Sequence, residues 1–356
     1  MTANPLDAIA TTPPAFEESI IRRLLADEYD VCGELTPLVS ERDQNTRVDA
    51  DTGVRFVLKI ANAAEDPVVT DFQLRVLMHL GGKDCQVAVP TLVATTNGDV
   101  VTRLGSSSGT HLVRLVSYID GALLRDIPIS TMLAGRFGER LAQLDNSLND
   151  FQHPGDRPIL LWDMQRASQL RPLLRHIGDM DVRRSTGVVL DDFEQRVLPR
   201  LSELETQVIH GDANPDNVLV DAMTVDVVGM IDFGDMVRAP SVIDVAVAAS
   251  YLRELEGDAL QYVLPFVAGY NSISSLSELE LELLFDLIRT RLATTISILH
   301  WRLSARCEND AYRQATLEKE SSAHIFLSRL DHIGRKPCTQ ALQDAILAIP
   351  PDPSHV

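Results

Sequence analysis

Residues 208–221, VIHGDANPDNVLVD, constrain the fold more tightly than any other stretch of this chain. Two apolar residues lead into His210, Gly211 and Asp212. A polar run then holds Asn214, Pro215, Asp216 and Asn217, before Val218, Leu219 and Val220 resume an apolar pattern. Residues 218–221 and 225–231 read as two strands joined by a turn at Ala222, Met223 and Thr224, which makes a hairpin. In a hairpin the start of the first strand lies beside the end of the second. Asn217 immediately precedes the first strand and Asp232 immediately follows the second, so residues fifteen positions apart are expected at one end of it, with Asp212 on the same loop. Any one of these residues alone is an ordinary turn former. Together they bring three oxygen-bearing side chains to one place. Asn and Asp oxygens suit a hard cation such as Mg2+, which keeps several waters and also binds phosphates. An aspartate outside that ligand pair is free to accept a proton.

Composition narrows the partners. The net charge is −19, from 32 basic and 51 acidic residues, which argues against nucleic acid and against an anionic membrane surface. A surplus of carboxylates is usually a solvated surface, but it would also favour cationic small molecules. The hydrophobic content of 45% and charged content of 23% are those of an ordinary globular protein. Cys32, Cys85, Cys307 and Cys338 are scattered, with no CxxC pair, so neither zinc nor a disulfide framework is suggested. The first twenty residues lack a basic segment followed by a long apolar run, and nothing later resembles a membrane span. A cytoplasmic location is expected, and the sequence leaves the oligomeric state unknown.

The pattern changes near residue 117. Before it come β-rich runs at 32–40, 52–62, 89–104 and 110–119, separated by turn signals and interrupted by one helix at 67–80 with Phe72, Val76, Leu77 and Leu80 on one face. Beyond residue 120 the period is helical: Leu133, Phe137, Leu141 and Leu144 form a stripe, and residues 277–303 read as one long, largely apolar helix. The Pro-rich ends (5–14 and 350–353) are read as frayed tails. The division expected is a lobe of residues 1–117 and a larger one of 118–356.

The joint order of HGD, four residues, Asn, a hairpin's length and then Ile231-Asp232-Phe233-Gly234 resembles the catalytic and metal-binding loops of the protein-kinase-like fold, in the version used by the aminoglycoside phosphotransferase and choline kinase family. More narrowly, SERDQNT (40–46), FVLKIAN (56–62), LLWD (160–163) and IDFGD (231–235) look like its hydroxylysine-kinase-type branch. The resemblance covers roughly residues 20 to 330. It implies an α+β, bilobal fold, with a small N-terminal antiparallel β-sheet lobe carrying one helix and a larger, mostly helical C-terminal lobe. It also implies an ATP-dependent small-molecule kinase with Mg2+ as cofactor, acting on a small hydroxyl acceptor. In that reading Asp212 is the catalytic base, and Asn217 and Asp232 hold the metal.

Other positions follow from the resemblance. Lys59, flanked by apolar residues on a strand, stands where kinases place the lysine that meets the nucleotide's α- and β-phosphates. Residues 40–47 stand where kinases fold a loop over the phosphates; without GxGxxG, this is either a phosphate loop using Ser40 and backbone N–H groups or a plain hairpin turn. Ser117, Tyr118 and Ile119 match the hinge whose backbone reads adenine. Gln73 falls where the family's small-lobe helix supplies a glutamate to hold the lysine, and an amide there keeps a hydrogen bond without the charge. His210 is expected to pack and fix its loop. Ser241 and Asp244 read as a helix-capping pair, with Asp244 also able to brace the metal loop. Only six residues separate Gly234 from the next helix, too few for a segment on which a peptide substrate docks. Trp162 and Asp163 begin a helix where this branch shapes its acceptor pocket, although a core tryptophan is equally consistent. Asp235 and Asp163 are candidates for meeting a positive group on the acceptor, which points to a hydroxylated amino acid or amino alcohol. Homoserine-, choline- and aminoglycoside-type kinases remain open, as does an inactive nucleotide-binding regulatory module.

Overall fold

The computed structural model describes residues 13–40, 42–83, 85–304 and 311–348. Glu41, Cys307, residues 5–12 and residues 350–353 therefore lie outside the described residues. The chain runs α1 (Glu18–Tyr29), β1 (Gly33–Leu38), β2 (Gln44–Ala50), β3 (Arg55–Ile60), α2 (Pro67–Gly81), β4 (Leu92–Val93), β5 (Thr102–Ser106), β6 (Gly109–Ser117), β7 (Ala122–Leu123) and α3 (Thr131–Leu148). A 3-10 segment, Met164–His176, precedes α4 (Met180–Asp192), β8 (Gln207–Ile209), β9 (Val218–Asp221), β10 (Asp226–Met230) and β11 (Val237–Ala239). The helices α5 (Val242–Ala249), α6 (Val263–Ile273), α7 (Glu278–Ser304), α8 (Ala311–Ile333) and α9 (Arg335–Leu347) complete it.

Two compact units result. The first comprises residues 1–120, 151–161 and 229–234, and the second comprises 121–150, 162–228 and 235–356. In the first, an antiparallel sheet has the order β1–β2–β3–β6–β4, with β5 also paired to β6. The strand β2 is absent from the sequence expectation, which treated residues 40–47 as a loop. Gln44–Ala50 pairs with both neighbours, leaving only 39–43 as the connection. The residues of β2 facing one way, Thr46, Val48 and Ala50, are buried while its polar residues alternate outward, the period-2 pattern of a half-covered sheet. Helix α1, also unforeseen, packs Ile21, Leu24, Leu25 and Tyr29 against Val48, Leu58, Ile60, Val113 and Leu115 of the sheet. Pro67 starts α2, with the Asp66 side chain accepting the Val68 N–H at 3.0 Å as its N-cap.

The second unit is mostly helical. The expected stripe of α3 is fully buried at Leu133, Phe137, Leu141 and Leu144. Helices α3 and α6 meet backbone to backbone. A Cβ on Gly138 would lie 2.0 Å from the Phe266 carbonyl oxygen, and one on Gly269 would lie 2.1 Å from that of Gly135, so only glycine permits this crossing. Beside it the Phe137 and Phe266 rings pack at a tilt of 51°, with centroids 5.1 Å apart. Helix α7 is surrounded along most of its length, as its continuous apolar character requires. Two small sheets are also formed: β10–β9–β7, and β8 antiparallel to β11. Among the described residues no helix is long and apolar enough to cross a membrane.

Candidate active site

In the first unit Lys59 lies on β3, between the buried Leu58 and Ile60, with β2 and β6 on either side. Its Nζ donates to Asp232 Oδ1 at 3.1 Å, with side-chain exposures of 15% and 52%. Asp232 has φ of 62°, in the left-handed region that aspartate tolerates better than most residues. The β1–β2 connection is tied at both ends. Ser40 Oγ accepts the Asp43 N–H at 3.3 Å, and Asp43 Oδ1 accepts the Asn62 N–H at 3.2 Å. Arg42 Nη2 reaches the Gly234 carbonyl at 3.4 Å. Ser40 thus serves its own turn.

Gln73 does not meet Lys59. Its Oε1 accepts from Arg114 Nη2 at 2.6 Å, and both side chains are buried at 4% exposure. Arg114 is the cross-strand partner of Lys59 on β6, so two cations stand side by side on one face of the sheet. The Gln73 amide oxygen takes one donor of the more deeply buried of the two, Arg114. Nearby Glu65 has its carboxyl pushed up, first by burial and then by the charge of Asp43. The hinge expectation is also narrowed. Ser117 N–H donates to the Thr91 carbonyl at 2.8 Å and Tyr118 N–H to the Arg55 carbonyl at 3.0 Å, so both amides are committed to their own sheet. Ile119 follows them outside the strand.

The second unit holds the polar loop. Strand β8 delivers His210, fully buried, and Gly211 turns the chain at φ of 77°; a Cβ there would lie 2.4 Å from the Asp235 carbonyl oxygen. Asp244 grips this turn. Its Oδ2 accepts the His210 N–H at 2.8 Å and its Oδ1 the Gly211 N–H at 2.9 Å. The capping pair expected of Ser241 and Asp244 is not formed: Ser241 has helical dihedrals and no side-chain cap bond, because the Asp244 carboxylate is drawn to the loop. Below it lies a second buried carboxyl, Asp145, which accepts Tyr270 Oη–H at 2.7 Å. Burial and the charge of Asp244 push Asp145 well above the usual carboxylate range. Burial also raises Asp244, opposed by His210 and the two amides, so the proton of the pair belongs on Asp145.

The asparagines bind the aspartates. Asn214 Nδ2 and Asn217 Nδ2 donate to Asp212 Oδ2 at 2.8 and 2.9 Å, and Asn217 Nδ2 also reaches the Asp212 carbonyl at 3.0 Å. Asn214 Oδ1 accepts the Asp216 N–H at 2.7 Å, an Asx turn. Asp216 is held by Lys319 at 2.9 Å and by Arg125. His210 Nδ1 accepts the Asp212 N–H at 3.3 Å. With its nitrogen turned to Asp212, Asn217 has its Oδ1 directed elsewhere, as a metal ligand requires. Among the described residues no three His, Cys, Asp or Glu side chains cluster to hold a metal. Asn217 in the second unit and Asp232 in the first each carry a hard oxygen of the type that Mg2+ takes as a ligand.

Sequence reasoning missed Arg291. This residue of α7 is 1% exposed, and its Nη2 donates to Asp212 Oδ1 at 2.9 Å. Its guanidinium lies over the Trp162 ring at 4.8 Å and near the Tyr251 ring at 5.8 Å. Asp235 also acts on it electrostatically. The available signal was an arginine in the middle of a long apolar helix, where a charge without a partner would be expensive. Asp163, by contrast, is a helix cap. Buried, it accepts the Gln165 N–H at 3.0 Å and pairs with Arg166 at 3.3 Å, which removes it as a receptor for a cationic acceptor.

The model of the phosphotransferase enzyme family matches residues 34–274. The chain is 27% identical over 353 residues to hydroxylysine kinase of Mus musculus, covering 92% of each. It is 28% identical over 311 residues to hydroxylysine kinase of Danio rerio, covering 84% of this chain and 86% of the relative. Among solved structures it resembles amicoumacin kinase hAmiN in complex with AMP-PNP, Ca2+ and Ami, with a TM-score of 0.65 and 15% identity over 91% of this chain and 95% of that one. A microcompartment-associated aminopropanol kinase matches with a TM-score of 0.65 and 18% identity, over 90% of this chain and all of that one. At such identities these structures speak to the fold, the α+β, bilobal kinase-like fold.

Proposed function

The chain belongs to the phosphotransferase enzyme family, and on that premise we propose that it moves the γ-phosphate of ATP, with Mg2+, to a hydroxyl of an amine-bearing metabolite. It is a small-molecule kinase, a phosphotransferase with an alcohol group as acceptor. The finer reading, a hydroxylated amino acid or amino alcohol as acceptor, is supported by relatives that are hydroxylysine kinases.

The observation that carries the reading is the setting of Asp212, a carboxylate oriented through one oxygen by Arg291 and through the other by Asn214 and Asn217. In this reading it accepts the acceptor's hydroxyl proton as that oxygen attacks the γ-phosphorus. The new O–P bond forms while the bond to the bridging oxygen breaks, and ADP leaves with the bonding electrons. Positioning and charge neutralisation supply most of the acceleration in such a transfer. Lys59 meets the phosphates, and Asn217 and Asp232 would hold Mg2+, which when bound neutralises phosphate charge. Asp235 is the carboxylate assigned to the acceptor's ammonium.

A second reading is a nucleotide-binding module without activity. The commitment of Gln73 to Arg114 favours it, since Lys59 then lacks the support of α2. ADP release over a panel of hydroxylated amino acids, amino alcohols, sugars and nucleosides decides between them. The kinase reading expects 5-hydroxylysine or a small amino alcohol to be turned over, with its deaminated analogue much poorer. Silence across the panel, with ATP still bound, would favour the module.

A further inference from the structure

Two buried carboxyls stand behind the turn that leads into Asp212, where one would suffice to hold it. Asp244 of α5 accepts the His210 N–H through Oδ2 at 2.8 Å and the Gly211 N–H through Oδ1 at 2.9 Å. Gly211, in the left-handed region, immediately precedes the proposed base. His210 Nδ1 accepts the Asp212 N–H at 3.3 Å, which ties the base's own amide to the same turn. Asp145 of α3 meets Asp244 side chain to side chain. Its Oδ2 accepts the Tyr270 Oη–H at 2.7 Å, and Ser241 hydrogen-bonds that phenol in turn. Asp145, Asp244, His210 and Tyr270 are all buried, and all belong to the second unit.

The remaining oxygen of Asp145 decides what the pair does. Asp145 Oδ1 is buried and receives no donor. The Asp244 carboxylate beside it is another acceptor, so the two can bond only through a proton carried by one of them. Asp244 is already turned to two amides, which favour its charged form. The proton therefore sits on Asp145, and its O–H points to Asp244. Among the described residues neither carboxyl pairs with a lysine or arginine, and the other titratable groups facing the pair are Tyr270 from α6 and His210 beyond β8. With Asp145 neutral, Asp244 keeps one charge and receives three donors. With Asp145 ionised, two like charges would share a dry site and the donor that fixes Asp244 would be gone.

We propose that Asp145 is a positioning residue of the phosphoryl transfer: the O–H it donates to Asp244 completes the clamp that fixes the His210–Gly211 turn and, through it, the aim of Asp212. This rests on the kinase reading above. It also gives the reaction an alkaline limit, since the clamp loosens when Asp145 loses its proton.

The test uses the full chain with Asp145→Asn, which donates to Asp244 and accepts from Tyr270, and Asp145→Leu, which can do neither. At about pH 8 an ordinary aspartate is ionised, so the wild-type infrared spectrum should contain a protonated-carboxyl stretch that Asp145→Asn lacks. Its absence from the wild type would overturn the proposal. Asp145→Leu should lower kcat roughly tenfold or more with the KM for ATP little changed, as a misaimed base does, and Asp145→Asn should recover most of that loss. A folded Asp145→Leu with wild-type kcat, or a loss that Asp145→Asn fails to recover, would also overturn it. If Asp145→Leu does not fold, the pH profiles decide: wild-type kcat should fall ahead of that of Asp145→Asn as pH rises, and coincident profiles count against the proposal. If no acceptor is turned over, the kinase reading fails separately, and hydrogen exchange of the segment 208–213 decides. Faster exchange confined to that segment in Asp145→Leu, or in the wild type but not Asp145→Asn as pH rises, supports the clamp, and unchanged exchange overturns it.

Discussion

Replacing Gln73 by methionine separates two accounts of what this residue does. The side chain keeps its volume and stem but loses the oxygen that accepts from Arg114 at 2.6 Å. Arg114 is buried and its Nη1 already lacks a hydrogen-bond partner, so Gln73→Met leaves the guanidinium poorer still. A hydrogen bond to a charged group contributes about 1.5–3 kcal/mol, and a buried charge stripped of its partner falls at the upper end of that range. We expect Gln73→Met to destabilise the first unit by about 2–3 kcal/mol, a fall in Tm of roughly 5–10 °C for a unit of this size. Gln73→Glu keeps the acceptor and should be far milder. Thermal melts of both variants, with the KM for ATP measured on each, form the assay. If Gln73 instead held Lys59, Gln73→Met would raise the KM for ATP tenfold or more with little change in Tm, and Gln73→Glu would lower that KM. That outcome would refute the reasoning.

Three further outcomes are expected. Asp212→Asn should reduce kcat by roughly 10²–10⁴, as loss of a positioned base does, with ATP affinity within a few-fold by calorimetry; near-normal turnover would remove Asp212 from that role. Asp232→Ala should weaken nucleotide binding far more with Mg2+ than without it, and equal weakening would show that it does not hold the metal. Asp145 is raised in the fold, so its native form keeps a proton that the unfolded chain releases above about pH 4, and that contribution to stability is lost as pH rises. Asn can both donate to Asp244 and accept from Tyr270, so Asp145→Asn should be more stable than wild type at pH 8, the difference shrinking towards pH 4. Denaturant midpoints across that range check this.

What the sequence made legible was local. The helix α2, the long α7 and the β9–β10 hairpin follow from periodicity within one window, and the kinase-like fold from the family resemblance carried by HGD, Asn and DFG. Strand β2 was hidden because its core face is read from Thr46, Val48 and Ala50 among charged neighbours, which looks like a polar loop. The roles of Asp244, Gln73 and Arg291 were hidden for a different reason. A carboxylate three residues into a helix looks like a cap, but its energy is set by amides on a loop far away in sequence. Gln73 was assigned to Lys59 by position, whereas the competing cation lay on β6. Asp163 illustrates the reverse: an acid that the chain places near function is taken locally by the helix it caps.

The left-handed backbone of Asp232 also shapes how this enzyme can decay. At φ of 62°, glycine and asparagine are accepted cheaply, whereas a β-branched residue would strain the turn. Both cheap replacements are a single nucleotide away from an aspartate codon, and both abolish the carboxylate. A lineage under no pressure to phosphorylate can therefore shed its charge at this position without shedding its fold. Descendants that survive as well-folded, silent copies are expected to carry Asn or Gly here more often than Val, although Val is equally close in the genetic code.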